Sequence, residues 1–178
     1  MGYTLRIGEA RISYSADYVD IDCELIRRDD APAFGEPTDY ENRRWPSYSS
    51  WANAMRVLGL TDVMFNEQNG GKGWFERNGN ERYPLIMQHP GAAPITIEHV
   101  EEVEDRIAAY KAKHPTHMAQ YPLPKEGAKP IFEGSSVYRD EDLSDDPRYD
   151  GALCKAEWLI YWLRWAVENC QQPVFINS

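Results

Sequence analysis

The sequence predicts one α+β domain, a mixed and mostly antiparallel sheet packed with about three helices. Three observations predict it. Residues 18–26 alternate apolar and polar with the period of a strand, apolar residues recur at helical spacing after Ser47 and Thr96, and the stretch from Leu153 to Val167 is apolar nearly all round. Apolar residues make up 42% of the 178 and aromatics 12%, too much for a disordered chain and enough to bury a core without staples.

In the first strand pattern Val19, Ile21, Cys23 and Leu25 share a face and Asp20, Asp22 and Glu24 the other, which predicts a half-buried strand. Tyr3, Leu5 and Ile7 give a shorter version. Gly8-Glu9-Ala10 is expected to turn the chain into Ile12–Tyr14, for a hairpin or three-stranded meander. Residues 29–46 hold Pro32, Gly35, Pro37 and Pro46 among charges and read as a long loop, the kind that is often functional. Ser47 is placed to cap a helix bearing Tyr48, Trp51, Met55 and Leu58, with Gly59 at its end. Val63-Met64-Phe65 is expected to be a short strand. The Gly/Asn clusters at 69–73 and 78–80 favour hairpin turns around Trp74-Phe75.

Pro84 to Pro94 reads as irregular. Thr96 then caps a second helix, with Glu98, Glu101 and Glu102 at its positive end and Lys111 and Lys113 at its negative end. Val100, Val103, Ile107 and Tyr110 form its apolar stripe, and Pro115 stops it. Residues 115–135 should wrap the surface, and the acidic run 139–147 should be solvated. Leu153–Val167 should be the central helix, too short and too interrupted by Glu157 and Arg164 to span a bilayer. Pro173–Ile176 suits a last strand. Neither repeat nor domain boundary is visible.

Nineteen basic against twenty-nine acidic side chains give a net charge of −10. A nucleic-acid groove needs clustered Lys and Arg, and only Arg43-Arg44 is dense, so duplex DNA or RNA and anionic membranes are not expected partners. Three cysteines, with no CxxC spacing, argue against a disulfide framework or zinc ribbon, and Cys23 and Cys170 read as buried thiols. No basic-then-apolar leader follows Met1, and Arg6 spoils a myristoylation signal, so the expected location is cytoplasmic.

The most suggestive stretch is Asn42–Trp51, which ends the long loop and starts a helix. Arg43 and Arg44 could bind phosphate or carboxylate beside the helix N-terminus, while Trp45, Tyr48 and Trp51 could stack a ring. The plainer reading is an aromatic anchor with an Arg paired to Asp39 or Glu41. Lys72, in Gly70-Gly71-Lys72-Gly73, could add charge to an anion cradle, though a tight hairpin explains the glycines better. His89 lies in an irregular segment where an imidazole could bind or catalyse. His114 and His117 have no third ligand at motif spacing, and Pro115 breaks the helix that would align them, so neither metal nor cofactor is expected. The run Asp140, Asp142, Ser144, Asp146 lacks the Gly and Glu of a calcium loop.

The series Arg44–Tyr48, Gly59–Asp62, His89–Gly91, Pro94–Thr96 with His99, Asn169-Cys170 and Pro173–Ser178 resembles small acidic accessory proteins encoded by tailed phages and prophages. The resemblance carries over no functional residue. It implies an accessory role in a host cell, such as countering a defence system. The leading expectation is a non-enzymatic binding protein that engages a host protein or sequesters a small anionic, nucleotide-like ligand, using Arg43, Arg44, Trp45, Tyr48 and Trp51, with Lys72 and His89 in support. One alternative is a DNA mimic acting through residues 139–150; another is a hydrolase-type enzyme using His89 or the His114/His117 pair.

Overall fold

The computed structural model describes residues 2–32, 40–65, 76–77, 80–81, 83–133 and 138–178. Leu5–Tyr14 is one unbroken strand, β1, and Val19–Cys23 (β2) folds back on it, with Ala10 opposite Cys23 and Tyr14 opposite Val19. The turn expected at Gly8 is absent. Gly8 is small for another reason: a Cβ there would stand 3.3 Å from Asn42 Nδ2 and 3.4 Å from Cys23 Cβ. A bare backbone lets both neighbours close onto the strand.

One edge of β1 takes Arg43–Arg44 (β3) and then β2, and the other takes Pro173–Asn177 (β7). Gly91–Pro94 (β6) pairs with the far side of β7. The order is therefore β2-β1-β7-β6, all antiparallel, with β3 beside the start of β1. β6 corrects the irregular reading of Pro84–Pro94 in its last four residues. Pro94 fits because it ends an edge strand, where a missing N–H costs no ladder bond. Separately, Glu76–Arg77 (β4) pairs antiparallel with Asn80–Glu81 (β5), while the turns expected at 69–73 and at Asn78-Gly79 lie outside the described residues.

The helices cover one face of the sheet. Tyr48–Val57 (α1) is capped by Ser47, whose Oγ accepts from Ser50 N at 3.2 Å, and Gly59 closes it at φ +71°. Thr61–Met64 (α2) replaces the strand expected at Val63–Phe65. A short apolar run does not distinguish helix from strand by itself. Here Arg106 ties the turn down by bonding the Gly59 carbonyl and the Asp62 carboxylate. Ile97–Lys113 (α3) buries the stripe Val100, Val103, Ile107 and Tyr110. Its cap uses a residue the charge pattern did not suggest: His99 Nδ1 accepts from Thr96 N at 3.0 Å, so the opposite ring nitrogen donates to the Tyr83 carbonyl at 2.8 Å.

Gly151–Asn169 (α4) lies between α1 and α3 and rests on β1 and β7. Trp158, Leu159, Trp162 and Leu163 meet Leu5, Ile7, Trp51, Met55 and Phe175 in the core. The half-buried face expected of β2 lies on the side of the sheet away from the helices. There Cys23 is buried with Val174 and Ile176 and partly covered Ile21 packs beside them, while Val19 is 57% and Leu25 48% exposed. Residues 115–133 are nowhere buried and run over the surface. Among the described residues no helix is long and apolar enough to cross a membrane.

Candidate functional site

The strand alternation of β3 divides the stretch that the sequence singled out. Arg44, opposite Leu5 in the ladder, points inward. It is 3% exposed, its Nη2 donates to Cys154 Sγ at 3.5 Å, and its guanidinium lies 5.7 Å from the Trp158 ring centre. Trp51 is fully buried on the inner stripe of α1, edge-on to Trp158 with ring centres 6.4 Å apart. Both residues are parts of the core, which takes them out of any ligand-binding surface. A guanidinium between α4 and the sheet, and a Trp at i+3 from Tyr48, pack the interior instead.

Arg43 and Trp45 point the other way. The Arg43 guanidinium stacks over the Trp45 ring at 4.4 Å, and Trp45 is 54% exposed. Glu41 approaches Arg43 at 3.6 Å and Arg27 at 4.0 Å, and Arg27 in turn stacks on Tyr40 at 5.0 Å. The result is a surface strip in the order Tyr40, Arg27, Glu41, Arg43, Trp45. It is held in register by the Arg27–Glu41 bridge and by Arg28 N donating to the Tyr40 carbonyl at 2.8 Å. The sequence reading anticipated a Glu41 pairing as the plain alternative, but Tyr40 and Arg27 carried no local signal, since Arg27 is brought in from the far side of the loop.

Tyr48 and His89 come together at the end of the sheet. Gly2 bridges Ser47 and Tyr3 N donates to the Pro46 carbonyl at 2.9 Å, which places the Tyr3 ring 4.1 Å from that of Tyr48. The Tyr48 hydroxyl is hydrogen-bonded to His89 Nε2. On the other side of the ring, His89 Nδ1 meets Asn177 Oδ1 at 3.0 Å, and Asn177, 1% exposed, uses Nδ2 to donate to the Gly91 carbonyl at 3.2 Å. His89 precedes a cis Pro90. Lys72 lies outside the described residues.

The second histidine pair is also assembled, around Asp150. His114 and His117 stack with ring centres 4.6 Å apart, and His117 Nδ1 lies 2.7 Å from Asp150 Oδ2. Tyr110 donates to the same oxygen at 2.6 Å, while Oδ1 accepts from Ala152 N and Leu153 N as the cap of α4. Burial raises the Asp150 carboxyl, but these four hydrogen bonds outweigh it and hold its pKa below the ordinary value. Burial and then Asp150 push the Tyr110 hydroxyl up to about 12. Among the described residues no cluster of three or more His, Cys, Asp or Glu could hold a metal ion.

Part of the acidic run is paired from within. Arg148 holds Asp146 at about 2 through a paired contact, Arg139 stands 3.6 Å from Glu141, and Asp150 is the helix cap. A row of carboxylates spaced for a basic groove is not presented by those three.

The chain matches no family model, no curated protein and no solved structure. Functional inference therefore rests on the geometry of these sites. The described surface also carries grooves. One of about 470 Å³ is polar, bounded by Arg28, Asp30, Glu157, Tyr161 and Arg164. Another, about 430 Å³, is apolar and lies on the sheet face away from the helices, between Ile12, Ile21 and Ala92, Pro94, Val174.

Proposed function

We propose that this chain is a binding protein, an accessory factor of the phage type, which acts in the host cytoplasm by engaging a host protein through the strip from Tyr40 to Trp45. The observation that carries this reading is Trp45, half out of the surface with Arg43 stacked on it and Glu41 locking Arg43 in place. Exposed Trp, Tyr and Arg held in fixed rotamers are the composition of protein-interface hot spots, because they bury large area at little entropic cost. Of the two ligand classes expected, a protein fits better than a small anion. Glu41 already answers the Arg43 charge, and Arg44, the second cation the anion would have used, lies in the core.

The test is quantitative affinity capture from host lysate with the wild type and the Arg43→Ala/Trp45→Ala double variant, followed by titration of the purified captured protein. A hot-spot pair is worth about 2 kcal/mol or more, so affinity should fall roughly thirtyfold or further. The contact should survive elevated salt, since stacking is not screened as long-range charge is. Equal binding by a folded double variant refutes the assignment. Binding that collapses with salt and ignores Trp45 points instead to the acidic surface.

A further inference from the structure

The Asn177–His89–Tyr48 chain has a direction that follows from its fixed end. Asn177 Nδ2 donates to the Gly91 carbonyl, so Oδ1 is the atom presented to His89. An amide oxygen only accepts, and Nδ1 of His89 must therefore carry the ring proton. In the neutral imidazole that leaves Nε2 as a lone pair, and Nε2 faces the Tyr48 hydroxyl. The phenol donates, and the imidazole is its base. Asn in the orienting position, His as base and a hydroxyl as nucleophile are the roles of an activated triad, recognised by geometry and not by sequence order.

The surroundings favour Tyr48 as the reactive group. His89 and the seryl residues 47, 49 and 50 are exposed, and Tyr48 is partly exposed, so an electrophile can approach. Tyr48 begins α1, whose first turn contains no acidic residue, and the positive end of the helix stabilises a phenolate and an incoming anion alike. Tyr3, packed on the Tyr48 ring, has its own hydroxyl raised by burial and so stays protonated beside it.

We propose that Tyr48 is a nucleophilic tyrosine, activated by His89 and Asn177, that accepts a phosphoryl group from an anionic phosphoryl donor. In the step the Tyr48 Oη–P bond forms as the bond from phosphorus to the leaving group breaks. The phenolic proton passes to His89 Nε2 and from there to the leaving group, so charge and atoms balance with no further co-reactant. This inference is independent of the binding strip, since neither Arg43 nor Trp45 belongs to the chain of hydrogen bonds.

The experiment is labelling of the whole protein at neutral pH with a dialkyl fluorophosphate, in which the P–F bond is the one that breaks, with the modified tyrosines mapped and timed by peptide mass spectrometry. Tyr14 and Tyr18, 79% and 67% exposed, are internal controls that simple accessibility would favour. Tyr48 is expected to react at least about a hundredfold faster than either, the lower range for a positioned base. Tyr48→Phe should lose the label with the fold intact. His89→Ala should slow the reaction to the rate of the controls, and added imidazole should restore it, a rescue that a purely structural His89 does not allow. Saturating inorganic phosphate should slow Tyr48 and leave Tyr14 unchanged. If Tyr48 reacts no faster than Tyr14 in the wild type, or if His89→Gln, folded by circular dichroism, labels as fast as the wild type, the activation is refuted. Labelling indifferent to phosphate overturns the anionic donor.

Discussion

Replacing Asn42 with Ala should be among the most damaging single changes to this fold, although its buried side chain is no part of the surface strip that its neighbours Glu41 and Arg43 form. Its side chain is 1% exposed and joins three segments. Oδ1 accepts from Ile26 N at 2.8 Å, while Nδ2 donates to the Ile7 carbonyl at 2.9 Å and the Glu24 carbonyl at 2.8 Å. Its backbone adds bonds to Ile26 and Ile7 at 3.1 and 3.0 Å. Alanine removes three hydrogen bonds, each worth about 1 kcal/mol net, and leaves backbone groups without partners, so the loss should be about 3–4 kcal/mol. Asn42→Asp should be no better at neutral pH, because a carboxylate oxygen would face two carbonyls. It should regain part of the loss as pH falls, when the protonated acid can donate. Urea unfolding followed by fluorescence suits the measurement, since Trp51, Trp158 and Trp162 are all buried and report on the core. A loss below about 1 kcal/mol would show that water replaces the amide at little cost, and the argument from buried partners would fall.

Other perturbations follow the same logic. Trp51→Ala removes a fully buried indole against Trp158 and should cost about 3–5 kcal/mol, whereas Trp45→Ala should change stability by less than about 0.5 kcal/mol; comparable losses would contradict the inward and outward assignment. Asp150→Ala should cost about 2–3 kcal/mol at pH 7 through the lost cap and the bonds to Tyr110 and His117. Because the folded carboxyl is held below its ordinary 3.8, this contribution is complete above that pH and fades as pH falls through the folded value, so the difference between wild type and variant should narrow in acid; a difference that stays constant would exclude the linkage. Burial, then nearby acidic groups, pushes the Cys23 and Cys170 thiols up to about 11, so alkylation by iodoacetamide at pH 8 should be slow until urea unfolds the chain. Rapid modification of the native protein would count against that burial.

Three of the helices, α1, α3 and α4, were legible because their signals are local, whereas α2 was read as a strand. Ser47 and Thr96 cap, Gly59 and Pro115 terminate, and the apolar stripe of α3 is the one that the structure buries. Leu153–Val167 was readable as central because only a helix packed on several sides tolerates apolar residues nearly all round. The sheet was less legible. Gly8 looked like a turn because a glycine required by a neighbour's approach has the same letter as one required by φ. Arg44 and Trp51 were assigned to a surface because propensity says nothing about which face of a two-residue strand or of a helix start looks inward. The links that define the candidate sites join residues far apart in the chain, as His89 joins Asn177 and Arg27 joins Glu41, and no short pattern encodes them.

The position of β7 has a kinetic consequence. It fills the gap between β1 and β6, and its ladder with β1 sets Leu5 against Asn177 and Glu9 against Pro173, strands separated by nearly the whole chain. The β1–β2 hairpin, α3 and the α1–α2 turn can each form from nearby residues, but the sheet that α4 rests on closes only after the longest loop in the molecule has been drawn together. Topologies dominated by such non-local pairings fold in milliseconds to seconds, not microseconds. Until closure, the apolar faces of β1 and α4 are both in water, so the interval in which this chain is open to aggregation or to a chaperone is set by how quickly β7 finds β1.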